Sequence, residues 1–387
     1  MTQSPHLLAA VSAHGLGHLA QIASVINALR RHRPEVAVTV RSGHPREVVA
    51  DWLEGPFAHQ PVSDDFGLVM HDAVTVDAEA SLARYRALHA DWEAQVEAVA
   101  ADLAAAAPDL VLADIPYLTL AAAHRLGLPS VAMCSLNWRD ILAPLAPEDS
   151  DMRAILATME AAYNGARAFL QPAPAMPMPS ITNGLAIGPV GRVGRGRSAE
   201  LRQWLGAEDG EPVVLVAMGG IQPSPLPVAP DCGRPIHWLR PPRAGEAPAP
   251  RQHDPATLGW PFPDLLASVD AVVTKPGYGT FVEAAAAGCP VVTLDRAGWA
   301  EAPALLAFLR ERGGGEVVPA DAGPAAICRA LDAVLERDRP EPQALTGNEE
   351  AAEQLWMELR RGSREGEGGQ VSSVGEPERM DQEHYSN

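Results

Sequence analysis

Two stretches decide the reading of this chain: His6-Leu7-Leu8-Ala9-Ala10-Val11-Ser12-Ala13-His14-Gly15-Leu16-Gly17-His18, and Thr274-Lys275-Pro276-Gly277-Tyr278-Gly279-Thr280-Phe281-Val282-Glu283. In each, a short apolar run breaks into a glycine-bearing loop and then passes into a helical pattern. In the first, strand His6 to Val11, helix Leu19 to His32 and strand Val36 to Val40 make a βαβ opening. That unit begins a parallel, doubly wound sheet. The second adds local punctuation: strand Ala271 to Thr274, loop, helix Phe281 to Ala287, Gly288 as a stop, Pro290, and strand Val291 to Leu294.

Between them, helices keep alternating with short strands. An Ala-rich helix is expected over about Ala78 to Ala107, a strand over Leu110 to Ile115, a helix ending at Gly127, a strand over Ser130 to Cys134 and a helix near Met152 to Ala166. From Gln171 to Arg197 a run of Pro and then Gly reads as a connector, stiff and then flexible. Helix Ala199 to Leu205 and strand Val213 to Ala217 open the second series, while ten prolines between residues 221 and 255 predict a loop-rich stretch. The expected division is therefore a domain at 1-190, a second at 191-361 ending in a helix over about Asn348 to Arg361, and a disordered tail at 362-387.

Composition narrows the function. Hydrophobic residues at 47% and charged ones at 20% are those of a globular protein with a large core. A net charge of −19 excludes a diffuse electrostatic grip on nucleic acid or an anionic membrane, so any anionic ligand needs a local site. Of the 30 basic residues, only Lys275 is a lysine. Cys134, Cys232, Cys289 and Cys328 form no CxxC pair, which suggests neither a zinc knuckle nor a disulfide framework and leaves reduced thiols as the expectation. With no secretory pattern at the start and no apolar run long enough for a span, the chain reads as cytoplasmic.

In the first loop, Gly15 and Gly17 allow close approach of a ligand to backbone amides, and His14 and His18 are side chains able to exchange a proton near neutral pH. The four-residue spacing of the histidines would suit a metal only in a continuous helix, which the glycines argue against, so no metal site is expected. The same loop also reads Gly15-x-Gly17-x-x-Ala20, a dinucleotide fingerprint, with Arg41-Ser42 available for a 2′-phosphate; an NADP oxidoreductase is thus a competing reading. In the second loop, Lys275 and the amides near Gly277 and Gly279 fall at a strand's carboxyl end, where ligands of open sheets bind. Glu283 is placed to accept from two vicinal ribose hydroxyls, although Thr280-x-x-Glu283 also has the form of a capping box. Gly219 and Gly220 follow strand Val213 to Ala217 as further diphosphate-facing positions. Asp114, and Arg296, Trp299 and Glu301, lie at strand carboxyl ends facing the same cleft. Asp149-Ser150-Asp151 has a metal-binding form, but its place before a helix predicts capping.

Together the loop Ser12 to His18, the segments Asp114-Ile115-Pro116 through Ala121 to Pro129 and Leu136-Asn137-Trp138, the junction Ile187-Gly188-Pro189-Val190, and Lys275 to Glu283 resemble GT-B glycosyltransferases. The similarity is to the MurG-like enzymes and to the glycosyltransferase-like domain in front of arabinokinases, over about residues 6 to 360. It implies two Rossmann-like domains across a cleft, with a nucleotide-diphosphate sugar held mainly by the second domain, an acceptor hydroxyl by the first, and no metal or other cofactor. It further implies Glu283 on the donor ribose and Gly219, Gly220, Gly277 and Gly279 on the diphosphate, with Lys275 offsetting its charge. Tyr278, Thr280, Arg296, Glu301, Gly15 and Gly17 complete the expected donor surroundings. His18, with His14 and Asp114, is the expected base or donor-orienting group. The chain departs from the MurG-like pattern at Asp295 to Glu301, where a Gln-rich stretch is usual, so the sugar is open. The sugar kinase half that follows the arabinokinase-type domain is absent from this sequence. A GT-B-like binding module without transfer and a nucleotide-sugar epimerase stand beside the transferase reading.

Overall fold

A computed structural model describes residues 4–72, 75–219, 230–242, 250–296, 298–312 and 314–368. Seven strands form the first sheet: β1 (His6–Val11), β2 (Ala37–Ser42), β3 (Ala58–Gln60), β4 (Leu110–Asp114), β5 (Ser130–Met133), β6 (Ala168–Pro172) and β7 (Gly184–Ile187). Six form the second: β8 (Val213–Ala217), β9 (His237–Leu239), β10 (Gln252–His253), β11 (Ala271–Thr274), β12 (Val291–Leu294) and β13 (Gly315–Val318). Among the described residues every pairing within the two sheets is parallel, in the orders β3-β2-β1-β4-β5-β6-β7 and β10-β9-β8-β11-β12-β13. The order reverses direction between β1 and β4 in one sheet and between β8 and β11 in the other. At such points the loops on either side diverge and leave a crevice. Each quoted glycine loop follows a strand at one of these two points.

Each sheet is covered on both faces, which is why its central strands β1, β4, β5, β8, β11 and β12 read as near-continuous apolar runs. After the second sheet the chain returns to the first: helix Gly347–Gly368 lays Ala351, Ala352, Leu355 and Leu359 against the core under helix Leu16–His32. Residues 347–368 are thus second-domain in sequence order but packed with the first. The helix extends beyond the expected stop at Arg361, and the rest of the expected disordered tail, 369–387, lies outside the described residues.

Other expectations are corrected. The single Ala-rich helix is two, Ala78–Ala90 and Trp92–Ala106, because Asp91 (φ −128°, ψ 38°) leaves helical geometry between them. Strand β6 runs into the start of the Pro/Gly connector, which also holds β7, and the Pro-rich stretch holds β9 and β10; parallel pairing to a neighbour decides these short strands, and local sequence does not. Strand β13 and helix Pro324–Leu335 carried no expectation at all. Cys232 and Cys328, 96 residues apart, are joined in a disulfide, contrary to the expectation of free thiols; folding brings together two cysteines that sequence spacing keeps apart. Asp149 caps helix Ser150–Asn164 by accepting from the Met152 amide at 2.8 Å, as expected. Among the described residues no helix is long and apolar enough to cross a membrane.

Candidate active site

The first glycine loop is shorter than its sequence suggests. Ser12 N–H donates to the Asp114 carbonyl at 2.7 Å, tying β1 to β4 just beyond the sheet. Gly15 then takes φ 82° and the helix starts at Leu16, so Gly17 and His18 belong to its first turn. That turn buries His18 against the end of β4. Its Nδ1 is 2.8 Å from Asp114 Oδ1, and both side chains are nearly inaccessible. Burial opposes the charge of His18, but Asp114, Asp65 and Glu301 outweigh it and raise the pKa above 6.5. With Nδ1 committed to the carboxylate, Nε2 is the nitrogen left for chemistry.

Asp65, which no motif marked, organises the wall beside this pair. Its Oδ1 accepts from Ser12 Oγ and its Oδ2 from Trp138 Nε1, both at 2.8 Å. Burial pushes its carboxyl up to about 6 against those hydrogen bonds and the His18 charge. The Trp138 indole held in this way packs edge-on to His14 at 5.3 Å and tilted to His18 at 5.7 Å. His14 itself is held down to about 4 by burial and by His18, so it is a neutral ring in the wall at physiological pH.

Across the cleft, β8 leads to Gly219 (φ 74°) and β11 to Lys275. A Cβ on Gly219 would lie 3.4 Å from Lys275 Cε, so the lysine stem crosses directly over that glycine. Burial, with Arg296 next, lowers Lys275 to about 8. Arg296 stacks its guanidinium 3.9 Å from the Trp299 ring. Glu301 accepts from Ser135 Oγ of the first domain at 2.6 Å and from Trp299 Nε1 at 3.2 Å, and burial raises its pKa. Helix Tyr278–Ala287 begins at Gly277 with no side-chain cap, which leaves first-turn amides open toward the cleft. Thr280 therefore lies inside the helix and forms no capping box with Glu283.

Glu283 faces a partner from the domain junction. Arg192 donates to its Oε1 from the backbone N–H (3.3 Å) and from Nε (3.1 Å), while the same guanidinium sits 3.6 Å over the Trp52 ring of the first domain. Burial raises the Glu283 pKa, opposed by Arg192. Tyr278 is likewise joined to the junction: its hydroxyl accepts from Val190 N–H at 2.9 Å and donates to the Ala173 carbonyl at 3.1 Å.

A single cleft of about 990 Å³ contains these groups. His14, Gly15, Gly17, His18, Gly219, Lys275, Gly277, Tyr278, Gly279, Thr280, Glu283, Arg296 and Glu301 all line it. Asp114 lies behind His18, and Gly220 is outside the described residues. Sequence reasoning missed Asp65, Arg192 and Trp52, which lie in loops or helix ends far from either motif. Arg41, offered for a 2′-phosphate, is instead buried and held by Asp64 at 2.6 and 2.8 Å and by Asp102 at 2.9 Å. The feature that favoured NADP is thus consumed in an internal ion pair.

Two doubly wound parallel sheets opposed across a cleft, with helix Gly347–Gly368 returning from the second to the first, are the GT-B architecture. The kitacinnamycin glycotransferase superposes with a TM-score of 0.60 at 19% identity, over 92% of this chain and 99% of that one. The calicheamicin glycosyltransferase superposes at 0.57 and 18% (96% and 100% covered), and the glycosyltransferase VinC in complex with dTDP at 0.53 and 20% (94% and 98% covered). In sequence, 309 residues are 28% identical to an L-arabinokinase of Arabidopsis thaliana, covering 78% of this chain and 29% of that protein. The chain thus spans under a third of the length of that curated relative. No family model matches the chain.

Proposed function

We propose that this protein is a metal-independent glycosyltransferase that moves a sugar from a nucleoside-diphosphate sugar to an acceptor hydroxyl. The observation that carries this reading is the opposition, in one cleft, of the His18–Asp114 pair from one sheet's switch point and the Lys275 loop with its uncapped helix from the other's. The VinC complex with dTDP and the similarity of fold support the donor class.

In this mechanism His18 Nε2 accepts the proton of the acceptor hydroxyl as its oxygen attacks the anomeric carbon. Asp114 stabilises the imidazolium that forms. The bond from the anomeric carbon to the diphosphate oxygen breaks, and the negative charge gathered there meets the Lys275 ammonium and the helix amides. Glu283, held by Arg192, accepts from the ribose hydroxyls. Nothing in these groups reads a polynucleotide, and the partners are the donor and a hydroxyl-bearing acceptor. The reading also places the protein in the cytoplasm, where nucleotide sugars are the donor pool.

Thermal shift and calorimetry with UDP, GDP and dTDP sugars beside NADPH test this reading. Stabilisation by at least one nucleotide sugar is expected, and its loss in Glu283→Ala. Stabilisation by NADPH alone overturns it, and donor binding with no transfer to any hydroxyl acceptor reduces the protein to a binding module.

A further inference from the structure

We propose that His18, Asp114, Cys134 and Gln21 form a zinc site at the floor of the cleft, and that zinc there switches the His18–Asp114 pair off. The inhibitory part rests on the transferase reading; the binding part does not.

The ligand atoms of His18, Asp114 and Cys134 lie within 4.8 Å of one another and all three residues are buried. Zinc bonds of about 2.0 Å to nitrogen or oxygen and 2.3 Å to sulfur, at tetrahedral angles, separate ligand atoms by roughly 3.5 Å for N and S and 3.3 Å for N and O. Here Cys134 Sγ is 3.7 Å and Asp114 Oδ1 2.8 Å from His18 Nδ1. Sulfur and nitrogen already have the required spacing, and the carboxylate needs to open by about half an ångström or offer its other oxygen.

A buried cysteine beside a histidine is often only packing. Two further atoms point to a ligand. Among the described residues, Asp114 Oδ2 and Gln21 Oε1 are buried acceptors that meet no hydrogen-bond donor in good geometry, although the Cys134 thiol acts on the Asp114 carboxyl, and Gln21 is 3% exposed. Gln21 lies one turn after His18 on the same helix, and its Nε2 is 3.9 Å from Cys134 Sγ. Its amide oxygen, on the same terminal group, becomes a fourth ligand by a simple flip of that group. A cation held by the His/Asp/Cys trio would satisfy the spare Asp114 oxygen and, with the amide flipped, the Gln21 oxygen as well. His18, Gln21 and Cys134 line the cleft, which puts the site in its wall.

The consequence for the pair follows from proton bookkeeping. Zinc takes the Nδ1 lone pair and the Cys134 thiolate; the thiol proton leaves to solvent and the imidazole proton moves to Nε2. The nitrogen facing the acceptor then carries a hydrogen and no longer accepts one.

Chelator-treated full-length protein titrated with Co²⁺ tests the site without reference to activity. One cobalt per chain, with a near-ultraviolet thiolate-to-cobalt band and tetrahedral visible bands that Zn²⁺ abolishes, is expected. Cys134→Ser should remove the near-ultraviolet band and weaken zinc at least tenfold, while Cys289→Ser, in the other domain's core, leaves both unchanged. Absence of the band in the unmodified protein, or a band of equal intensity in Cys134→Ser, overturns the proposal, and the first of these needs no variant to fold. With a donor that is turned over, zinc should inhibit over the concentration range that displaces cobalt, and a chelator should restore the rate. Full activity with the site filled overturns the switch but not the site.

Discussion

Replacing Arg192 with Gln removes the charge that, among the described residues, is set against the buried Glu283 carboxylate. Arg192 Nε lies 3.1 Å from Oε1. At that separation and an effective dielectric near 20 the gross attraction is about 5 kcal/mol. Desolvation of both partners consumes much of it, and charge-assisted hydrogen bonds of this kind net about 1.5–3 kcal/mol. A loss of stability of that size is therefore expected in Arg192→Gln, together with weaker donor binding, since the guanidinium no longer holds the Glu283 carboxylate in place. The pH dependence separates this from mere loosening of the junction. Burial already raises the Glu283 pKa above 4.5, and losing Arg192 raises it further. A carboxyl whose folded pKa exceeds its unfolded value destabilises the fold as pH rises through that window and costs nothing once protonated. The deficit should thus be largest at alkaline pH and shrink as pH falls through the raised Glu283 pKa, while Arg192→Lys recovers part of it. Calorimetric unfolding of the three proteins across that range, with nucleotide binding alongside, reads all of this. A deficit independent of pH, or unchanged donor affinity, refutes the reasoning.

Asp114→Asn should keep the hydrogen bond to His18 but lose the charge that stabilises imidazolium, lowering transfer by about 10²–10⁴-fold with donor affinity nearly retained; steady-state kinetics against equilibrium binding separates the two. Lys275 is a cation only below its lowered pKa of about 8, so calorimetric donor affinity should fall as pH rises through that value, and a flat profile to pH 9.5 would remove its charge from the site. Leu355→Ala, in the fully buried face of the last helix, should destabilise the protein by about 2–5 kcal/mol in chemical unfolding, an effect absent if that helix only rests on the first sheet.

The doubly wound class and the two loops were legible because strand, glycine turn and helix are local patterns. His18, Lys275 and Glu283 were legible for the same reason: each sits inside such a pattern. Strands β6, β7, β9 and β10 were not, since runs of two to five residues among prolines become strands only when a neighbour pairs with them. Asp65 carries no signal at all. It stands in an acidic loop, and its importance comes from the Trp138 indole and Ser12 hydroxyl that arrive from 73 and 53 residues away. The Cys232–Cys328 disulfide escaped for a like reason, its halves lying 96 residues apart.

By itself, then, the order of residues determined two βα series, a glycine loop at a strand end in each, and one lysine in a chain whose other basic residues are arginine. Hydrogen bonding within a few residues and the apolar period of helix and strand suffice for that. Only tertiary structure decided that Lys275 crosses Gly219, that Arg192 occupies Glu283, and that His18 meets Asp114 and Cys134 at one point. Those contacts join residues that no local interaction relates, and burial then sets the protonation and charge on which their chemistry depends.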